Sequence, residues 1–204
     1  MKKALLLALA AGVCCLAASP ATAGGLHVYG SYWDVDDLGD TAGGGAMLAI
    51  PLGAAQRVNL DLGATYFQQF EDDRFFERLI DDEDSPFLRN SVEVIPLDVG
   101  LSFNVGPTAP VNLTLGAGAT YFLLDTDRGE VDDEAGWYGR VGAEFGGGGD
   151  GGVGFFLAGV YRSAEATVEN DPDDFRDVPD IEFENETPFD LDGLGLNAGI
   201  VWRF

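Results

Sequence analysis

Apolar and small polar residues alternate along much of the chain, and this pattern constrains the fold more than any other feature. From Val111 to Tyr121 the odd positions hold Val, Leu, Leu, Ala, Ala and Tyr, whereas the even positions hold Asn, Thr, Gly, Gly and Thr. Successive side chains of a β-strand point to opposite faces, so this period predicts strands with one apolar and one polar face. The sequence VNLDLGATYF, beginning at Val58, nearly repeats VNLTLGAGATYF, and its two-residue difference preserves the phase.

Eight segments of the chain fit this description. Six of them alternate clearly, and they lie at 58–66, 95–103, 111–121, 137–145, 153–161 and 194–204. Two weaker segments, 26–34 and 41–51, precede them, and both of their faces are too apolar or too rich in Gly to fix the phase. Gly occupies 29 of the 204 positions, about twice the usual share, and Gly disfavours long helices. We therefore predict an all-β chain with eight strands.

The connections between these strands alternate between two kinds. Short links lie at 52–56, 106–109 and 146–151, and long links lie at 35–40, 71–90, 124–135 and 163–191. In an antiparallel up-and-down barrel successive connections lie at opposite ends, so all the long links should meet at one end. The long links and their flanking residues hold 30 of the 35 Asp and Glu residues. One pole of the molecule should therefore carry nearly all of the negative charge.

The first 23 residues have the pattern of a secretory signal peptide. Lys2 and Lys3 precede an apolar stretch from Ala4 to Ala18, and a small-residue segment ends at Ala23. The apolar stretch is shorter than the roughly 20 residues that a spanning helix needs. We predict a signal peptide over 1–23 and one barrel domain over 24–204.

Removal of that segment changes the chemistry available to the chain. Both cysteines and both lysines lie within it, so the mature chain has no thiol, no Lys, and nine Arg against 35 acidic residues, a net charge of −26. Nucleic acid is excluded as a partner because phosphate binding needs a basic face. Schiff-base and P-loop lysines are excluded as well.

Period-two alternation alone does not decide whether lipid or water contacts the apolar faces, because soluble barrels also alternate. Aromatic residues lie at the ends of these faces, near the long links at Tyr66, Tyr121, Trp137 and Tyr161, and near the short links at Phe103, Phe145, Phe155 and Trp202. Such rings suit the two headgroup regions of a bilayer. The 11 residues from Val111 to Tyr121 match the roughly 9 to 11 that a tilted spanning strand needs. We predict an eight-stranded antiparallel transmembrane β-barrel with lipid outside.

The end of the chain adds a more specific signal, since apolar residues occupy every second position at Leu194, Leu196, Ala198, Ile200, Trp202 and the terminal Phe204. With the signal peptide, the eight strands and the unequal links, the whole mature chain resembles the small outer-membrane β-barrel families typified by the OmpA membrane domain, OmpX and OmpW. The resemblance implies a Gram-negative outer-membrane location and contact with outer-membrane lipid and lipopolysaccharide. It also implies recognition by the barrel assembly machinery through Leu196, Ile200, Trp202 and Phe204.

A barrel of eight strands is just wide enough for its inward side chains to fill. The charged residues predicted to point inwards are Asp61, Asp98, Arg140, Glu144 and Arg162, with Arg57 and Arg203 near the short links. Buried charges must pair or stay hydrated, so we expect a polar plug of ion pairs. The alternative is a constriction that admits water, small ions or a small solute. The corresponding functions are a structural or surface-contact protein, or a narrow channel for small or hydrophobic solutes as in OmpW-like proteins.

The acidic links have three interpretations. The first is a solvated surface that keeps the links extended. The second is divalent-cation binding by carboxylates in two runs, Asp34, Asp36, Asp37 and Asp40, or Asp125, Asp127, Asp132, Asp133 and Glu134; neither matches an EF-hand loop. The third is a cationic partner anchored by link aromatics, namely Phe75, Phe76, Phe87, Phe175, Phe183 and Phe189, although these rings could simply pack the links together.

Enzymatic activity is not expected. Serine-type acyl transfer needs a base beside its nucleophile, and His27 is the single histidine. Ser31 lies on the same face of the strand but roughly 13 Å away, beyond hydrogen-bond reach. We expect His27 to be an interfacial polar residue, and we expect no catalytic residue, metal or cofactor.

Overall fold

The computed structural model describes residues 24–36, 39–53, 55–70, 92–107, 109–126, 130–146, 151–169 and 186–204. The predicted signal peptide lies outside these residues and stays a prediction. In the part of the chain described, no helix is long and apolar enough to cross a membrane.

Eight antiparallel strands form a closed barrel. They are β1 (Gly25–Val35), β2 (Gly39–Pro51), β3 (Val58–Phe70), β4 (Val92–Asn104), β5 (Val111–Thr126), β7 (Glu134–Phe145), β8 (Gly152–Ser163) and β11 (Gly193–Arg203). Each strand pairs with its neighbours along the chain apart from the insertions described below, and β11 returns to pair with β1. The predicted eight-stranded up-and-down barrel is therefore confirmed.

The contact between the first and last strands closes the barrel along their full length. Gly25 lies opposite Arg203 at one end, and Val35 lies opposite Gly193 at the other. Beyond the last pair, Gly24 and Phe204 exchange two backbone hydrogen bonds of 2.9 and 3.1 Å. This closure pairs the two edges that an open sheet would leave exposed.

The outer face of the barrel is a belt of apolar side chains. On β5 the outward residues Leu113 and Leu115 are each about half exposed, at 52% and 51%. The aromatic side chains expected at the two borders also face outwards, and Trp137 and Phe155 are exposed by 54% and 67%. A surface of this kind suits hydrocarbon rather than water, because exposing a continuous apolar belt to water is unfavourable.

The two ends of the barrel differ as predicted. The turn end carries the three short links, where Gly53 and Gly151 adopt φ angles of 108° and 82°, which side chains disfavour. The loop end carries the four long links.

The long links are more ordered than predicted at two places. Strands β6 (Glu130–Val131), β9 (Glu165–Glu169) and β10 (Glu186–Asp190) form a three-stranded antiparallel sheet in the order β10–β9–β6. The expectation that 124–135 and 163–191 are links without strands is wrong. These strands span two to five residues, which are too few positions for an alternation to be recognised among acidic residues.

Candidate functional site

The lumen of the barrel is the candidate site, and its loop end is filled by apolar side chains. Ten residues form one buried cluster there: Trp33, Val35, Phe67, Val94, Phe122, Leu124, Ala164, Ala166, Phe189 and Leu191. Trp33 lies at the centre, with its ring 5.1 Å from that of Phe67 and stacked 6.0 Å from that of Phe122. All three side chains are 0% exposed. We call this cluster the apolar plug.

Strands and links both contribute to the plug. Six members are inward residues at the loop ends of barrel strands, and the remaining four lie in the segment that connects β8 to β11. Phe189 of β10 is buried among them, so this link aromatic packs inwards. The other link phenylalanines of the partner hypothesis, at 75, 76, 87, 175 and 183, lie outside the described residues.

A buried ion pair lies next to the plug. Arg162 Nη2 donates to Asp98 Oδ2 at 2.7 Å, and Thr120 Oγ1 donates to Asp98 Oδ1 at 2.7 Å. The Arg162 guanidinium also lies over the Trp33 ring, 5.8 Å from its centre. The arginine therefore joins the polar lumen to the plug through a cation–π contact.

A second ion pair occupies the middle of the lumen. Arg140 Nη2 donates to Asp61 Oδ2 at 2.5 Å, and Ser102 Oγ donates to Asp61 Oδ1 at 3.1 Å. Arg140 also contacts the sulfur of Met47. The Asp61 side chain is 1% exposed, so its charge depends on these donors.

A third polar group lies at the turn end, around Glu144. His27 Nε2 donates to Glu144 Oε1 at 2.8 Å, and Asn112 Nδ2 donates to Oε2 at 3.1 Å. Arg203 Nη2 also donates to Oε2. A cavity of about 90 Å³ lies beside this group, and its wall is part polar and part apolar, with Asn59, Asn104 and Asn112 among its polar residues.

The five charged residues predicted for the lumen, Asp61, Asp98, Arg140, Glu144 and Arg162, all lie on inward positions of their strands. They do not form one cluster, because their bonds divide them into the three groups just described. Sequence reasoning missed the apolar plug. Its signal is a change along the inward positions from small polar residues to large apolar ones, as from Thr65 to Phe67 and from Thr120 to Phe122.

His27 does not lie at the membrane interface, and that expectation was wrong. Its side chain faces the lumen, is 4% exposed, and makes an edge-on ring contact with Phe156 at 4.8 Å. The phase of β1 could not be predicted because large apolar residues occupy both faces of this strand. Ser31 Oγ donates to Asn197 Oδ1 at 2.6 Å, whereas His27 donates to Glu144.

Carboxylates face outwards at the loop-end rim. Asp34 lies directly opposite Asp40, and Glu93 lies directly opposite Asp125. Among the residues whose placement is described, no group of three or more His, Cys, Asp or Glu side chains could hold a metal ion. Because Asp37 and Asp127 lie outside these residues, divalent-cation binding stays a prediction.

The residues of the expected assembly signal lie along β11 and just beyond it. Leu196, Ile200 and Trp202 face outwards and are 49%, 48% and 58% exposed. Phe204 closes the seam with Gly24. Recognition of these residues by an assembly machinery stays a prediction.

Solved structures share this architecture. The outer membrane protein OprG from Pseudomonas aeruginosa matches with a TM-score of 0.65 and 14% identity over 90% of this chain and 96% of that one. The outer membrane protein AlkL, solved in DMPC lipid bilayers, matches with a TM-score of 0.59 and 12% identity over 90% of both chains. Neisserial surface protein A matches with a TM-score of 0.54 and 12% identity over 89% of this chain and 96% of that one.

No family model and no curated protein matches the sequence. At identities this low, the structural matches establish a shared architecture and no more. This architecture agrees with the outer-membrane location expected from the sequence. The chain therefore has the fold of the small eight-stranded outer-membrane β-barrels.

Proposed function

We propose that the protein is a non-catalytic outer-membrane barrel that does not conduct ions and presents its acidic links at the cell surface. The observation that carries this proposal is the apolar plug, whose three central rings are fully buried at the loop end of the lumen. Ions do not cross a dehydrated apolar barrier of this kind without a large desolvation cost. The role that remains is structural, or one of contact through the acidic links.

The placement of the lumen residues supports a role without catalysis. His27 and Ser31, the pair considered for acyl transfer, are bonded to different partners. Glu144 already accepts bonds from His27, Asn112 and Arg203. A carboxylate satisfied in this way suits an ion-pair network better than a general base.

Conductance in planar bilayers tests this proposal. The refolded protein should give no reproducible unitary current steps in molar salt. A double variant, Phe67→Ala with Phe122→Ala, removes two rings from the plug and should allow transient conductance. Tyr121→Ala, which truncates a ring on the outer face, is the matched control and should stay silent. Discrete steps from the unmodified protein would overturn the proposal.

A narrow channel for small hydrophobic solutes is the second candidate. The apolar character of the plug favours it, because an apolar solute could replace a plug side chain without breaking a hydrogen bond. Vesicles that contain the protein should then take up a small hydrocarbon faster than empty vesicles, while ionic conductance stays absent. Equal uptake by the two kinds of vesicle would exclude this candidate.

We propose contact with outer-membrane lipid, including lipopolysaccharide, and the apolar outer belt supports the lipid contact. We propose that the outward row Leu196, Ile200 and Trp202, with Phe204, is the contact of the assembly machinery during insertion. The row is exposed on the strand that completes the barrel. Fractionation with outer membranes and a heat-dependent gel shift test the location and the folded state.

A further inference from the structure

We infer that the lumen is a one-sided chamber, which water and small neutral polar solutes enter from the turn end and which ends at the Asp61–Arg140 pair. The inference rests on the sealed loop end of the proposed function but adds to it, because a sealed barrel could equally be dry throughout. The inference places a binding site at the turn end of the lumen and identifies its occupants as water and small neutral polar solutes.

Two cavities form the chamber. The larger, of about 90 Å³, lies at the turn end, and the smaller, of about 20 Å³, lies deeper, beside Asp61 and Arg140. Their walls share His27, Ala49, Asn59 and Glu144, so the two volumes are neighbours along the axis. At roughly 10–15 Å³ for each water, the larger holds about half a dozen waters and the smaller about one.

The walls offer the polar partners that water needs. His27 Nε2 is engaged by Glu144, whereas His27 Nδ1 is buried and has no hydrogen-bond partner among the described residues. With Nε2 as the donor, a neutral imidazole leaves Nδ1 as an acceptor. A buried acceptor costs free energy unless a donor reaches it, and His27 lies in the wall of both cavities. Water, or a small solute with an O–H or N–H group, supplies that donor.

The composition of the chamber favours neutral occupants. Two guanidinium groups, from Arg140 and Arg203, face two carboxylates, from Asp61 and Glu144, and each cation is paired with an anion. The remaining polar wall consists largely of amides. Because the charges are balanced, the walls favour neither free anions nor free cations over neutral hydrogen-bonding molecules.

Side-chain bonds close the lumen beyond the chamber. Tyr29 and Thr65 share a hydroxyl hydrogen bond of 3.0 Å over Gly45, the β2 residue that lies between them. Asp98 binds both Arg162 and Thr120, and the apolar plug follows. Thr65 and Thr120 line neither of the two cavities. The boundary between hydrated and dehydrated lumen therefore lies between Ser102, which lines the smaller cavity, and Thr120.

Cysteine labelling tests this boundary, because the mature chain lacks cysteine. Three single variants of the refolded protein are compared: Arg57→Cys, exposed at the turn end, Ser102→Cys, at the end of the chamber, and Thr120→Cys, beyond it. A small neutral methanethiosulfonate is the probe, and each variant must show the heat-dependent gel shift of the folded barrel. Thr114→Cys and Thr65→Cys replace the second and third variants if either fails to fold.

Ser102→Cys should react fully in the folded state, whereas Thr120→Cys should react on the order of 1,000-fold more slowly, because its thiol is reached only on unfolding. After heating, all three thiols should react alike. In vesicles, labelling of Arg57→Cys by an impermeant charged reagent measures the fraction of molecules with the turn end outside. The small neutral reagent is then added, and a thiol quenches the reagent that remains outside. Under these conditions Ser102→Cys should be labelled no faster than Arg57→Cys.

Two results would overturn the inference. The first is protection of Ser102→Cys equal to that of Thr120→Cys, which would mean a lumen that is closed to small solutes at this depth. The second is rapid labelling of Thr120→Cys in the folded state, which would mean solvent on both sides of the boundary. The first result leaves the non-conducting barrel intact, whereas conductance by the unmodified protein overturns the proposed function, so the two failures are distinguishable.

Discussion

Breaking the ion pair between Arg162 and Asp98 should destabilise the barrel strongly, whereas removing both charges together should not. In Arg162→Met, the hydrogen bond from the Thr120 hydroxyl is the one that the Asp98 carboxylate keeps among the described residues. The substitution also removes the cation–π contact with Trp33. Asp98→Asn leaves a guanidinium that is 1% exposed without a counter-ion. Removing one partner of a buried pair typically costs about 3–5 kcal/mol, and we expect this loss for each single variant.

The double variant, Asp98→Asn with Arg162→Met, should lie within about 1 kcal/mol of the unmodified protein, because replacing a buried pair by uncharged groups is often neutral. The structure favours this outcome, since Arg162 Nη1 is buried without a hydrogen-bond partner in the described part of the chain. Each single variant would then lose at least about 2 kcal/mol more than the double variant, a non-additivity that marks the two groups as directly coupled.

Urea unfolding in lipid vesicles, followed by tryptophan fluorescence and by the gel shift, measures these free energies. The pair Asp61–Arg140 is equally buried and serves as the comparison. Because the inferred chamber lets water reach it, breaking it should cost less, about 1.5–3 kcal/mol, the value of hydrogen bonds to a charged group. Additive losses in the double variant, or a single-variant loss below about 1 kcal/mol, would refute the reasoning.

Three further predictions concern the rim, the plug and the end of the chain. Asp40→Asn removes the like charge opposite Asp34 and should stabilise the barrel by about 0.2–1 kcal/mol; unfolding at low and at molar salt should show a gain that shrinks as salt screens the repulsion. Leu124→Ala opens a hole in the plug and should cost about 2–5 kcal/mol in the same assay; an unchanged midpoint would mean a loosely packed plug. Deleting Phe204 should lower the amount of folded barrel in cells while refolding in detergent succeeds, and equal losses in both would assign this residue to stability alone.

Alternation predicted the barrel well because the same requirement, an apolar residue at each lipid-facing position, repeats along most of the strands. The outward residues of β5, from Val111 to Tyr121, must suit hydrocarbon, so each carries the same signal. Strand β1 lacks this contrast, since Tyr29 and Trp33 point into the lumen while Val28 and Tyr32 point out. Its phase, and with it the inward position of His27, depends on packing across the barrel, which no local pattern reports.

The lumen residues were predictable one at a time but not as partners. Parity along each strand places Asp61 and Arg140 inwards, but their bond depends on the stagger of β3 against β7, which are not neighbours in the sheet. The plug was missed for a related reason. Leu124 and Phe122 continue the inward row of β5 beyond the membrane-spanning part, where the outward row stops being apolar at Asp125 and the alternation is no longer clean.

The seam between Gly24 and Phe204 has a consequence for biogenesis. The closing pairs join β1 to β11, so no product of synthesis that stops before β11 can form them. Within hydrocarbon an unpaired strand edge carries a severe penalty, and contacts so distant in sequence form slowly. Lipid entry and ring closure must therefore occur together, and the chain has to be kept unfolded until β11 is available.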